Sequence, residues 1–298
     1  MTSKQSWRDV HYTAADGTKL YARDYGAERA GRCPVLCLSG LTRNSREFHG
    51  IAEHLSRSRR VICPDYRGRG MSQFAGDPNT YTPFVEMADV VGLVDQLGIG
   101  KTMIVGTSRG GLIAMLMAGM HRSRLAGVVF NDIGPVIEAD GLLRILPYVG
   151  LTGQFPGWPE AIDAIKVSNV GFDGMSEAEW DYFARFSFTE RGGQIVSDHD
   201  PKLAVTMPTE EQVTSGNAPD LWPAFLALGG LPIGVVRGEN SDFLSEVTVA
   251  RMKHGVAGLE AVTIANRGHT PFLTEPAAME LIERTLSRID ASRLGCAD

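Results

Sequence analysis

The segment Thr102-Met-Ile-Val-Gly106-Thr-Ser108-Arg-Gly110-Gly111-Leu-Ile-Ala-Met-Leu-Met-Ala118 passes from a short apolar run, through a serine flanked by glycines, into an apolar run of helical length. It predicts a buried strand, a sharp turn and a helix. Gly106, Ser108 and Gly110 fit G-x-S-x-G, in which the glycines let strand and helix approach closely enough for the serine to sit on a strained turn with its hydroxyl exposed. A serine at the start of a helix also faces N–H groups and a positive dipole end that favour negative charge. One turn therefore offers a nucleophile and half of an oxyanion-binding site. The plainer reading, a serine that caps a buried helix, is weighed against what the rest of the chain supplies.

Upstream, Trp7 to Thr13 and Lys19 to Tyr25 are β-prone runs split by Asp16-Gly17, a hairpin signal. Pro34 to Leu38 and Arg60 to Pro64 read as buried strands, ending in the loops Ser39-Gly40-Leu41-Thr42 and Asp65-Tyr-Arg67-Gly68-Arg-Gly70-Met-Ser72. Arg43 to Arg57 and Pro83 to Leu97 carry apolar residues on one helical face. Downstream, Leu125 to Phe130 is another buried strand, ending in Asn131-Asp132. Strands alternating with helices of this length predict an α/β fold, a mostly parallel central sheet flanked by helices. From Ile133 to Leu231 the rhythm lapses into helix-like pieces rich in aromatics, among them Trp158, Trp180, Phe183 and Trp222, read as an inserted, mainly helical cap. It resumes with strands at Pro232 to Val236 and Leu259 to Ala265, a helix between them and a last helix from Pro276 to about Ile289. The expected organisation is a core of residues 1–132 and 232–298 interrupted by a cap of residues 133–231.

The 298 residues carry a net charge of −6, with 43% hydrophobic and 21% charged residues, ordinary for a soluble globular protein and opposed to a nucleic-acid partner. The cluster Arg57, Arg59, Arg60, Arg67 and Arg69 reads as scattered surface charge. No apolar stretch is long enough to span a bilayer, and the first ten residues are too polar for a signal-peptide core, so no membrane partner and a cytoplasmic location are expected. Cys33, Cys37 and Cys63 lie in or beside apolar strands and are expected as buried thiols; with Cys296 they show no metal-like spacing with histidine. Asp198-His199-Asp200 lacks further ligand spacing, so neither a metal nor a cofactor is expected. The sequence leaves homo-oligomer formation open.

A serine hydroxyl needs a base to take its proton, and the base needs a group that holds its tautomer. His269, in Asn266-Arg267-Gly268-His269-Thr270-Pro271-Phe272, lies just past the last strand, where catalytic groups collect in open α/β sheets. His11, His49, His54, His121 and His254 fall in the hairpin, in helices or at a helix end, where surface or capping roles fit better. Glu239, Asp242, Asp132 and Asp65 follow strands at that same sheet edge. Asp242 fits the order serine, acid, histidine and is preferred; Asp132 fits it too and is the fallback.

Together these features resemble the α/β-hydrolase-fold family over nearly the full chain. The resemblance rests on Gly106-Thr-Ser108-Arg-Gly110, the turn Asp65 to Ser72, Arg237-Gly-Glu-Asn-Ser-Asp242, and Gly268-His269-Thr-Pro-Phe-Leu-Thr-Glu-Pro276, in family order. It implies Ser108 as nucleophile, His269 as base, Asp242 as acid, and a cap after the sixth strand. In the family a second oxyanion donor comes from the loop after the third strand, usually within a His-Gly pair; here that loop is Ser39-Gly40-Leu41-Thr42, without the histidine. Because the donor is backbone, the resemblance implies a hole made by the N–H groups of Leu41 and Arg109.

The Arg109 side chain is read as pointing into the helix surroundings rather than at a substrate, and Met115, Met117 and Met120 as core filling. Arg43, Trp158 and Phe272 are the substrate-binding candidates. The expected function is a metal-independent serine hydrolase that cleaves an ester, thioester or lactone of a small, partly apolar molecule through an acyl-enzyme on Ser108. A serine nucleophile argues against the epoxide hydrolases and haloalkane dehalogenases of this fold, which use an aspartate. The alternatives are hydrolysis of carbon–carbon bonds in ring-cleavage products, and a slow-turnover ligand receptor of the same fold.

Overall fold

The computed structural model describes residues 5–216 and 218–292; Cys296 lies outside them. Strands β1 (Trp7–Thr13) and β2 (Lys19–Tyr25) form the expected hairpin. The alternating part follows: β3 (Val35–Leu38), α1 (His49–Leu55), β4 (Val61–Asp65), α2 (Pro83–Gln96), β5 (Thr102–Thr107), α3 (Arg109–Met120) and β6 (Leu125–Asn131). The segment expected as a cap contains α4 (Ala139–Val149), β7 (Gln154–Phe155), α5 (Trp158–Ser168), α6 (Glu177–Ser187), β8 (Phe188–Arg191), β9 (Gln194–Ser197) and α7 (Glu210–Thr214). After α8 (Trp222–Leu226) the core resumes with β10 (Ile233–Gly238), α9 (Glu246–Gly255), β11 (Glu260–Ile264) and α10 (Pro276–Ala291).

The main sheet has the order β1-β2-β4-β3-β5-β6-β10-β11, antiparallel at β1, β2 and β4 and parallel from there on. Strands β3, β4, β5, β6 and β10 are buried along their whole length, which is why they read as continuous apolar runs rather than alternating ones. One core layer lies between the sheet and α2, α3 and α9; the other, holding Phe48, Leu55, Leu281 and Ile289, lies under α1 and α10. Met115 and Met117 are buried, whereas Met120 is 60% exposed at the end of α3 and fills no core.

The cap differs from the mainly helical expectation by a three-stranded antiparallel sheet, β7-β9-β8. These strands are two to four residues long and half exposed, so they leave no buried apolar run to read. Helix α8, assigned to the cap by the sequence reading, packs on the core: Phe225 is fully buried 6.0 Å from Phe130 of β6. The arginine cluster is also not surface charge. Only Arg57 is exposed; Arg59, Arg60, Arg67 and Arg69 are buried against Asp290, Asp24, Asp89 and Glu86. Among the described residues no helix is long and apolar enough to cross a membrane, and no cluster of three histidine, cysteine or acidic residues could hold a metal ion.

Candidate active site

Gly106 is the last residue but one of β5 and Gly110 the second of α3, and both must lack a side chain. A Cβ on Gly106 would lie 2.7 Å from the Gly110 carbonyl carbon, and one on Gly110 only 2.0 Å from the Leu38 carbonyl oxygen. Between them Ser108 adopts φ 48° and ψ −109°, a conformation that L-residues seldom tolerate. The turn is held by the neighbouring strand, since the Ser108 N–H donates to the Asn131 carbonyl at 3.0 Å. The Ser108 hydroxyl lies 3.0 Å from Nε2 of His269, on the loop after β11.

The other ring nitrogen, Nδ1, lies 2.8 Å from Oδ2 of Asp132. The preferred acid, Asp242, is therefore corrected to the fallback. Asp132 follows β6 directly, and a left-handed turn at φ 56° puts its carboxylate beneath the histidine. It is fully buried but well solvated by protein: Oδ1 accepts the Gly238 N–H at 2.8 Å, and Oδ2 accepts the Ser241 hydroxyl at 2.6 Å. Asp242 instead faces the cap, where Arg144 of α4 donates to both its oxygens, Nη2 reaching Oδ1 at 2.9 Å. Burial raises the Asp242 carboxyl, but the Arg144 hydrogen bond and charge outweigh it and hold the group below its ordinary value. The next residue, Phe243, stacks on His269 with ring centroids 3.8 Å apart and planes 11° apart.

A cavity of about 590 Å³ opens over Ser108 and His269. Its core side includes Leu41, Arg43, Thr107 and Phe272, and its cap side Ile145, Phe183, Phe186 and His199. Leu41 thus stands at the cavity. Its loop is braced from behind, where Glu47 accepts the Gly40 N–H at 3.2 Å and Arg69 Nε donates to the Leu41 carbonyl at 2.8 Å. Arg109 contributes its backbone at the start of α3, while its side chain turns away into the protein, with Nε 3.1 Å from Glu86 and Nη2 donating to the Tyr81 carbonyl.

Arg43 and Phe272 line the cavity, but Trp158 is not among its lining residues. The Trp158 ring packs against the cap's aromatic cluster, with the Arg185 guanidinium 3.9 Å above it. Of the acidic trio, Asp198 pairs with Arg46 and Arg191, and Asp200 accepts the Tyr81 hydroxyl. His199 between them lines the cavity, and burial lowers its pKa to about 4, so it stands there neutral. Sequence reasoning passed over Glu47, Arg144, Ser187 and Phe243 altogether.

Comparison with known proteins agrees with this architecture. Residues 34–152 match the family model described as alpha/beta hydrolase fold. The 3-hydroxybutyrate-oligomer hydrolase of Cupriavidus necator is 33% identical over 253 residues, 83% of this chain and 86% of that protein. The 2-(acetamidomethylene)succinate hydrolase of Mesorhizobium japonicum is 26% identical over 239 residues, 79% of this chain and 81% of that one. Among solved structures, an alpha/beta hydrolase from Novosphingobium aromaticivorans superposes with a TM-score of 0.89 at 39% identity, covering 96% of this chain and 100% of its own. Given the eight-stranded sheet, the strained serine turn and this likeness along most of both chains, the chain belongs to the α/β-hydrolase family.

Proposed function

We propose that this hydrolase is a serine esterase that acts on an ester, thioester or lactone of a small, partly apolar acid through an acyl-enzyme on Ser108. The observation that carries the reading is the unbroken path from the Ser108 hydroxyl to His269 Nε2 at 3.0 Å and from Nδ1 to Asp132 at 2.8 Å. With Nδ1–H donating to Asp132, Nε2 is the basic nitrogen and takes the serine proton as Oγ attacks the carbonyl. The negative charge then forms on the substrate oxygen. The N–H groups of Leu41 and Arg109 are the donors proposed to hold it, each worth about 10²- to 10³-fold in rate.

Protonated His269 gives its proton to the leaving oxygen, and then, as base again, draws one from the water that cleaves the acyl-enzyme. The stacked Phe243 keeps the ring from swinging out of line during both transfers. The relative that acts on 3-hydroxybutyrate oligomers supports an ester bond, and the aromatic cap wall supports a partly apolar acyl group.

Intact-mass measurement after treatment with a fluorophosphonate, beside steady-state turnover of short p-nitrophenyl esters, tests the reading. The expectation is one adduct per chain, absent from Ser108→Ala, with many turnovers per site. Folded wild type that takes up no adduct would end the serine-hydrolase reading, and one slow acylation without turnover would favour the receptor alternative.

A further inference from the structure

Arg43 is a cation without a carboxylate. Its turn is fixed by its own N–H donating to the Gly40 carbonyl at 3.1 Å, and its side chain reaches the cap, where Nη1 donates to the Ser187 hydroxyl. The guanidinium lies over Phe183 and Phe186, 4.6 and 5.3 Å from the two ring centroids. Among the described residues no acidic group comes within ion-pair distance of it, and Ser187 is the one side chain that it bonds. This is unusual company, because the other arginines near the site have their acids: the buried Arg69 and Arg109 share Glu86, and the half-buried Arg144 has Asp242.

The remaining charged groups of the cavity do not supply the missing anion. Glu47 acts on Arg43 through its charge but makes no ion pair with it; its oxygens are engaged by the Gly40 N–H and the Thr107 hydroxyl, and burial raises its pKa. Asp163 stands exposed at the rim, and His199 is neutral. Burial lowers the Arg43 pKa to about 10, so the group is still charged at neutral pH but poorly solvated. A planar cation that lies over one face of the stacked Phe183 and Phe186 rings and lines the cavity carries the N–H donors suited to a carboxylate.

We propose that Arg43 binds a free carboxylate on the substrate, which makes the preferred substrate an anionic ester of a short hydroxy acid or a half-ester of a short diacid. This rests on the esterase reading above. Arg43 and Leu41 are two residues apart on one turn, at most about 7 Å between Cα atoms. Both residues line the one cavity over Ser108, so a single small molecule held there can reach both. Arg43, held by the Ser187 hydroxyl, whose own hydrogen goes to the Phe183 carbonyl, binds the carboxylate oxygens, and Phe183 and Phe186 exclude water around them.

The test compares kcat/KM for two isosteric pairs, 3-acetoxybutyrate against 3-acetoxybutyramide and monomethyl succinate against methyl succinamate, in wild type, Arg43→Gln and Arg43→Lys. Each molecule has one ester, and each pair differs only in charge. Wild type is expected to favour the acid by about 10- to 100-fold in at least one pair, as a hydrogen-bonded charge contact is worth. Arg43→Gln is expected to abolish that ratio, mainly through KM, and Arg43→Lys to keep part of it. Equal rates on acid and amide by wild type would overturn the proposal while leaving the esterase reading intact, and so would an equal loss on both by Arg43→Gln. Absence of fluorophosphonate labelling and of turnover on all four would overturn both.

Discussion

Arg144, on the cap, forks onto both carboxylate oxygens of Asp242, on the core loop that follows β10. This contact ties cap to core within one residue of the ring that supports His269, and it separates the two aspartates that the sequence left in competition. Asp132→Asn is expected to slow fluorophosphonate labelling of Ser108 by about 10³- to 10⁴-fold, because an amide at Nδ1 favours the wrong imidazole tautomer. Asp242→Asn leaves that tautomer alone and is expected to cost less than about 10-fold, through a looser cap. Labelling rates of the two variants measured side by side check this; the reverse order would restore Asp242 as the orienting acid.

Ser108 and His269 were legible because each sits in a local motif whose geometry is set by its own neighbours. The acid was not, because the choice between Asp132 and Asp242 depends on which of two adjacent loops turns inward. That is decided by the positive φ at Asp132 and by the pairing of β6 between β5 and β10. A signal did exist for part of the missed cap sheet: Arg191-Gly192-Gly193-Gln194 is a two-glycine hairpin turn, with φ of 59° and 78° at the glycines. Arg43 was legible as a candidate only. Its lack of an acid follows from which carboxylates the fold spends on Arg69, Arg109 and Arg144, and no local pattern encodes that.

The depressed His199 makes acid stability testable. The unfolded chain protonates this histidine below about pH 6.5, and the folded chain only below about 4. Its contribution is therefore fully present above pH 6.5 and is lost as the pH falls towards 4. At 1.36 kcal/mol per pKa unit the loss is about 3 kcal/mol. Thermal unfolding of wild type and His199→Gln from pH 7 to pH 4 is expected to show the steeper decline in wild type. Parallel curves would mean that the folded state accommodates the imidazolium.

Glu86 is fully buried and holds two cations at once, Arg69 Nη1 at 2.7 Å and Arg109 Nε at 3.1 Å. The first of these arginines grips the Leu41 carbonyl, and the second follows Ser108 directly. Glu86→Gln leaves both charges buried with a neutral amide, a loss expected at about 3–5 kcal/mol. Because both proposed oxyanion donors are attached to these arginines, Ser108 labelling is expected to slow as well in whatever fraction stays folded. Urea unfolding with the labelling rate reads both effects, and a stability loss under about 1 kcal/mol would show that the triad is not a brace.

Two glycines of the same helix make opposite predictions. A Cβ at Gly110 meets the Leu38 carbonyl oxygen at 2.0 Å, with the Leu38 carbonyl carbon at 2.6 Å, so strand β3 and helix α3 would have to separate. Backbone cannot rotate aside as a side chain can, and Gly110→Ala is expected to lose both Ser108 labelling and most of its stability. Gly119, in the last turn of α3, is exposed, and a methyl group added there would meet nothing within 4 Å, so Gly119→Ala gains helix propensity alone. It is expected to stabilise by about 0.5–1 kcal/mol without altering the labelling rate. Denaturant midpoints of the two variants decide the matter: a tolerated Gly110→Ala would mean that the nucleophile turn is far less tightly wedged between β3 and α3 than these distances require.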